Sequence, residues 1–267
     1  YIIEKKLNPL NWYEISGELL NNSEEFNGID MGLDVDFCVK LEIAKKIKNI
    51  KFRPKILAYD IETDELKIGE GKILMISLVS DNFKKVITWK KSQSKPKYVE
   101  YVKDESELLE KFVEYVRKIS PDFLVGYFSD GFDLPYIKAR ADKYKIKLNL
   151  GLDESQPRFT RGVNLVGKIK GIVHIDILKF IRTVYSQYMQ SETLSLNEVA
   201  KEFLGDIKKD FEITDLKSEI NWTQFYEYNL HDSILTLNLF KKFWPDLLEF
   251  TKVIKEPIFE ISRAGLS

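Results

Sequence analysis

Ile56-Leu57-Ala58-Tyr59-Asp60-Ile61-Glu62-Thr63 is the stretch on which the reading of this chain turns. A short apolar run ends in acids, and Pro54 stands just ahead of it as a boundary. A run of this length behind a breaker reads as a buried strand. Side chains two apart on a strand share a face, so Asp60 and Glu62 project together from its end. Outward from it, residues 72–80 form a second strand, 85–90 a third and 123–127 a fourth. Residues 105–119 place Leu108, Leu109, Phe112, Val113 and Val116 at helical spacing, and Pro121 ends that helix. Residues 135–144 are a second helix, with Pro135 near a first turn that needs no N–H from it. Gly162, Gly167 and Gly171 punctuate β-like segments, which predicts a hairpin over 158–170. Residues 172–175 are a strand, and Asp176 can cap a following helix. Helices are also predicted over 194–203 and 221–244. Strands come first and helices interleave later, which predicts an α/β fold with a mixed sheet flanked by helices.

The first 54 residues have no strong period. Turns are expected at 21–23 and 26–28, and residues 40–55 are basic. The bulk numbers bound the rest. With 44% apolar residues, a chain of 267 can bury a sizeable core. Lys+Arg 41 against Asp+Glu 42 gives a net charge of -1, which neither supports nor excludes a nucleic-acid partner. One cysteine, Cys38, excludes an internal disulfide and a cysteine-built zinc site, and fits a reducing cytoplasm. No stretch approaches the ~18 apolar residues of a membrane span, and there is no signal peptide. A start at Tyr1 rather than Met suggests a piece of a longer protein.

Two further segments carry oxygen ligands. Asp133 lies in Phe132-Asp133-Leu134-Pro135-Tyr136, and Tyr228 and Asp232 stand four apart in a predicted helix, hence on one face. Each segment has a plain reading as well. Asp60 and Glu62 could belong to an acidic turn, since Asp64 and Glu65 follow. Asp133 could be an N-cap, and Tyr228 with Asp232 a mixed helix face. Taken together, hard oxygen donors with a tyrosine suit hydrolysis of a phosphodiester by two metal ions. His174 reads as a strand residue and His231 as belonging to another helix face. Asp130 and Asp176 read as supporting or capping residues. Basic clusters at 84–97 and at Arg158, Arg161, Lys168 and Lys170 are either solvated faces or phosphate contacts.

In order and spacing, Asp60-Ile61-Glu62, then Phe132 to Tyr136, then Tyr228 with Asp232 resemble the three exonuclease motifs of family B DNA polymerases, archaeal-like. These belong to the tyrosine branch of the DEDD exonucleases. Gly171 to Leu178 and Leu194 to Ala200 are similar to the segment that family carries between its second and third motifs. The resemblance implies a ribonuclease H-like exonuclease domain over 55–250. It also implies a partial N-terminal domain with a basic linker over 1–54, and a connector toward a palm domain over 251–267. The implied activity is 3′→5′ proofreading that releases deoxynucleoside monophosphates. Asp60, Glu62, Asp133 and Asp232 correspond to ligands of two Mg²⁺ or Mn²⁺ ions, and Tyr228 to the residue positioning water. The implied partners are a single-stranded or frayed primer 3′ end, the palm, fingers and thumb of a parent polymerase, and a sliding clamp through that parent. No membrane is implied, and the expected place is the cytoplasm, at the nucleoid. The family's hairpin at 158–170 helps to separate primer end from template, which makes Arg158, Arg161 and Lys168 candidate DNA contacts.

One departure stands out. The family's second motif often begins with Asn, five residues before its Asp, and here that place is Phe128. Phe128 either stacks on a base or packs as a core residue at a strand end. No Asp-Thr-Asp polymerase motif is present, so this piece is not expected to synthesise DNA. An RNA-trimming nuclease of the same branch, or a non-catalytic domain that binds single strands, are the alternatives.

Overall fold

The computed structural model describes residues 7–20, 38–48, 52–161, 165–205 and 221–263, with Arg161 and Leu165 described by backbone alone. The turns expected at 21–23 and 26–28 and the hairpin glycine Gly162 lie outside these residues.

Two strands that the sequence did not announce, β1 (Tyr13–Leu19) and β2 (Val39–Lys46), pair antiparallel. Most of their side chains are exposed, so neither face shows the alternation by which a half-buried strand is recognised. The main sheet has six strands: β3 (Ile56–Thr63), β4 (Ile73–Ser80), β5 (Phe83–Thr88), β6 (Val99–Tyr101), β7 (Phe123–Gly126) and β10 (Val173–Asp176). Their spatial order is β10-β7-β3-β4-β5-β6. β4 runs antiparallel to β3 and β5, while β7 is parallel to both β3 and β10, so the sheet is mixed as expected. β4 is buried from Ile73 to Val79, with Ser77 as the one polar residue in that run, because both of its faces are covered. The third strand starts and ends two residues earlier than alternation predicts, at Phe83–Thr88. The expected hairpin is present as β8 (Arg158–Arg161) and β9 (Leu165–Lys168), with Phe159 opposite Gly167.

Helices cover both faces. α1 (Glu105–Ile119) is capped by Asp104, which accepts from the Glu107 N–H at 3.1 Å, and buries Leu108, Leu109, Phe112 and Val116. Each such side chain contributes about 1.5–3 kcal/mol of apolar burial. With α2 (Asp133–Tyr144), α1 covers one face of the sheet, where Leu57, Tyr59 and Ile61 of β3 point. Ala58 points to the other face, against Tyr226, Leu230 and Leu237 of α5 (Trp222–Ile254). Farther along, α5 packs Leu239, Phe240, Phe243 and Leu247 against β7, β10 and α3 (Ile177–Val184). α5 ends ten residues later than the sequence predicts, because it runs through Pro245 instead of ending before it. α4 (Leu196–Leu204) begins two residues later than predicted, with Ser195 as its cap. Asp176 does cap α3, accepting from the Leu178 N–H at 3.1 Å. α6 (Ile258–Ile261) closes the described chain.

α1 and α2 are tied by a buried ion pair. Arg140 donates from Nε and Nη2 to the two Glu105 oxygens at 2.7 and 2.6 Å. The Ile73 N–H and the Tyr144 hydroxyl also donate to Glu105, both at 2.8 Å. The charges are therefore paired and hydrogen-bonded, which is the condition under which burying them is tolerable.

Candidate metal centre

The alternation of β3 places its acids. Since Leu57, Tyr59 and Ile61 fill one face, Asp60 and Glu62 emerge on the α5 side, at the end where the β3–β4 register shifts after Glu62. α5 meets them there. Ser77, opposite Asp60 on β4, donates from Oγ to the Asn229 carbonyl at 2.8 Å and shares a 2.6 Å hydrogen bond with Ser233 Oγ. These contacts seat the turn of α5 that carries Tyr228, Asn229 and Asp232. Asn229, fully buried, donates from Nδ2 to Asp60 Oδ2 at 2.7 Å. Asp60, Glu62 and Asp232 each bring a carboxylate oxygen to within 4.8 Å of the others.

Asp133 reaches the same place from α2. β7 pairs with β3 only as far as Ala58, which leaves the β3 edge open beyond that point. The Ile61 N–H there donates to Asp133 Oδ1 at 3.2 Å. Asp133 is therefore not the N-cap that its position before Leu134 and Pro135 suggested. Phe132 takes the N-cap position without a side-chain hydrogen bond, and Asp133 sits one residue inside the helix. It is not one of the three acids gathered within 4.8 Å, but its charge acts on Asp60.

The electrostatics are those of crowded acids. Loss of solvation, then the charges of Asp133, Asp232 and Glu62, push the Asp60 carboxyl well above the usual carboxylate range, against the opposing hydrogen bond from Asn229. Burial pushes Asp133 up to about 7, although its own N–H and that of Ile61 oppose this. Burial and the charges of Asp232, Glu62 and Asp60 raise the Tyr228 phenol, so its hydroxyl stays protonated near neutral pH. Carboxylates that resist ionising together are relieved by a divalent cation, and hard oxygen donors suit one. The residues present therefore fit a divalent metal.

A second layer of polar contacts holds the loop that leads into Asp133. Asp176 accepts from the Phe128 and Asp130 N–H groups at 2.9 and 3.1 Å. Asp130 accepts from the Gly167 N–H of the hairpin at 3.0 Å, from Lys179 at 2.8 Å and from Arg263 at 2.9 Å. Burial would raise the Asp130 carboxyl, but hydrogen bonding and charge from His174, with Arg263 and Lys179, hold it well below the usual range. His174 lies buried between Asp130, Ser129 and Tyr59, so it packs within the fold, as the sequence suggested. His231 lies on α5 outside the acidic cluster.

Phe128 is not a core residue. The residue is 47% exposed, its ring covers Gly131, and its φ of 60° lies in the left-handed region. Asn tolerates that conformation better than Phe, which gives a backbone reason for the residue often found there. Arg158 is exposed on β8, while Lys168 is paired with Glu260 at 2.9 Å and lies over the Phe259 ring. The Arg161 side chain lies outside the described residues. Sequence reasoning missed Asn229, Ser77 and Ser233. The one signal for Asn229 was its place three residues before Asp232, on the same helix face.

Residues 1–199 match the exonuclease domain of DNA polymerase family B. The chain belongs to that family. Among curated relatives, DNA polymerase 1 of Pyrococcus abyssi is 32% identical over 242 residues, which cover 87% of this chain and 31% of the relative. The DNA polymerase of Pyrococcus glycovorans is 33% identical over 219 residues, 79% of this chain and 28% of the relative. A solved structure of the family B DNA polymerase from the hyperthermophilic archaeon Pyrobaculum calidifontis superposes with a TM-score of 0.74 at 18% identity, covering 99% of this chain and 33% of that one. The family B exonuclease chain thus spans about a third of these relatives' length. Its mixed, helix-flanked sheet is the ribonuclease H-like α/β fold that the motifs implied.

Proposed function

We propose that this family B exonuclease domain is a metal-dependent 3′→5′ exodeoxyribonuclease that proofreads DNA. The observation that carries the reading is the convergence of Asp60, Glu62 and Asp232 within 4.8 Å, on two elements, with Tyr228 on the same helix face. Asp60, Glu62, Asp133 and Asp232 would hold two Mg²⁺ or Mn²⁺ ions. When bound, such ions activate water and neutralise charge on the phosphoryl and leaving oxygens. The chain's own residues do the rest. Tyr228, protonated, donates from its hydroxyl to the attacking water or to a phosphate oxygen. Asn229 holds Asp60 through Nδ2, and the Ile61 N–H holds Asp133. Water adds to phosphorus, the bond to the 3′ oxygen breaks, and that oxygen leaves with a proton, releasing a deoxynucleoside monophosphate.

The substrate of this reading is a single-stranded or frayed primer 3′ end. The flanking parts are a partial N-terminal domain over 1–54 and a connector over 251–267, on either side of the exonuclease domain at 55–250. The partners are the palm, fingers and thumb of a parent DNA polymerase, and a sliding clamp through it, in the cytoplasm at the nucleoid. Among the described residues no helix is long and apolar enough to cross a membrane.

The test is a 5′-labelled single-stranded DNA oligomer incubated with Mg²⁺, Mn²⁺ or chelator, beside the Asp60→Ala/Glu62→Ala variant and a matched RNA. A ladder shrinking from the 3′ end is expected only with metal. The double variant should lose more than the roughly 10–100-fold typical of supporting residues around a metal. Equal degradation by the double variant would sink the proposal, and a preference for RNA would reassign the substrate. Strand binding without metal-dependent release would favour a non-catalytic role.

A further inference from the structure

A row of rings leads away from Tyr228. Trp222, Phe225 and Tyr228 stand three apart on α5, with centroids 6.0 and 6.1 Å apart, and Phe225 and Tyr228 lie nearly parallel at 27°. Trp222 and Phe225 each set one side against the core formed with β4 and β5 and keep part of their surface in solvent. At the far end of the row, Lys90 holds its ammonium 4.0 Å above the Trp89 ring and 5.2 Å from that of Trp222. The sheet runs the same way. Glu62 pairs with Met75, and Met75 with Thr88, so Trp89 and Lys90 follow the strand position that lies across β4 from Glu62. Two strand spacings, about 10 Å, separate those positions. The arrangement is built rather than incidental. The Tyr226 hydroxyl donates to the Lys90 carbonyl at 2.5 Å, and Thr223 hydrogen-bonds Ser92 and Ser94 at 2.7 and 3.0 Å, so the segment after β5 is fastened to the start of α5.

Partly exposed rings at Trp222 and Phe225, a cation beside Trp222 and a carboxylate metal site at one end match the chemistry of a single-stranded nucleic acid: bases to stack, phosphates to pair. Glu227, exposed on the same helix, carries a charge of the wrong sign for a phosphate. We propose that Trp222, Phe225 and Lys90 form a stacking track that holds the bases of single-stranded DNA behind its 3′-terminal nucleotide while that nucleotide lies at Tyr228. This rests on the exonuclease reading and adds where the strand runs.

The experiment measures binding of a fluorescent (dT)8 oligomer in chelator, and of the same oligomer with abasic sites at the second, third and fourth positions from the 3′ end. The proteins are the full chain and its Trp222→Leu, Phe225→Leu and Lys90→Gln variants. Wild type should bind the intact oligomer at least about fivefold more tightly per stacked base. Trp222→Leu and Phe225→Leu should lose most of that preference. Equal binding of the two oligomers by wild type would overturn the track, and this arm needs no variant to fold. A preference that survives in folded variants would overturn it too, by placing the bases elsewhere. In parallel, wild type is offered thymidine 5′-monophosphate p-nitrophenyl ester with Mg²⁺, which reaches only the terminal site. Failure there would count against the exonuclease reading and leave the base preference to be judged by itself.

Discussion

Asp133→Asn should stabilise the metal-free protein at pH 8 and leave it nearly unchanged at pH 4. The Asp133 carboxyl is buried, and burial lifts it from the usual 3.8 to about 7. A carboxyl whose folded value lies above its unfolded value binds its proton more tightly in the folded state. Its contribution to stability is therefore complete below about pH 4 and is lost as pH rises through about 7. The interval corresponds to roughly 4 kcal/mol at most, and part of it belongs to the neighbouring charge on Asp60. The amide removes the charge but keeps the oxygen that accepts from the Ile61 N–H at 3.2 Å, so the local structure is retained. Urea unfolding in chelator from pH 4 to 8 should show the two proteins diverging by a few kcal/mol in favour of Asn, with most of the change between pH 5 and 8. Mg²⁺ should narrow the gap by stabilising wild type alone. Parallel pH profiles would refute the claim that crowded acids, rather than the fold around them, limit stability at this site.

Other substitutions probe the supporting contacts. Asn229→Ala removes the 2.7 Å hydrogen bond to Asp60, and should raise the Mg²⁺ concentration needed for half-maximal activity by about 10–100-fold; an unchanged metal titration would show that Asp60 needs no such hold. Phe128→Asn relieves a left-handed Phe and should stabilise by up to about 1 kcal/mol, read from the denaturant midpoint, whereas a loss would mean that the ring's cover of Gly131 matters more. Arg140→Met strands Glu105 in the interior and should cost about 3–5 kcal/mol in unfolding free energy. Pairing that change with Glu105→Leu should restore most of the loss.

Much of the site was legible because two periodicities address it directly. Spacing by two put Asp60 and Glu62 on one strand face, and spacing by four put Tyr228 and Asp232 on one helix face. The same rules give no information about what stands opposite, so Ser77 and Asn229 stayed hidden until β4 and α5 were seen packed together. For Asp133 the sequence offered a metal ligand and, as the plain alternative, a cap, because an acid before Leu-Pro at a helix start is so commonly one. Only the open β3 edge, a tertiary feature, turns it toward Ile61. In the fold, strands of four or more residues with a buried face were readable, whereas β1 and β2, with most side chains in solvent, and the three-residue β6 were not. The helix predicted over 221–244 ends one residue before Pro245. A proline removes a hydrogen bond and crowds the preceding turn, but Phe240, Phe243 and Leu247 bury enough apolar surface around it to keep α5 continuous.

α5 also settles what kind of machine part this centre is. Tyr228, Asn229 and Asp232 ride on the element that is a wall of two of the three hydrophobic cores. A centre assembled on loops can slacken through small openings while the body stays folded. Half of this one has no such freedom, because displacing Asp232 from Asp60 means lifting a helix that the body cannot spare. Asp60 and Glu62 lie on β3 of the central sheet, and only Asp133 follows a loop, the segment from Phe128, which is moored to Asp176, the hairpin and Arg263. Any motion that tunes this centre must therefore come from that side, with α5 as the fixed jaw.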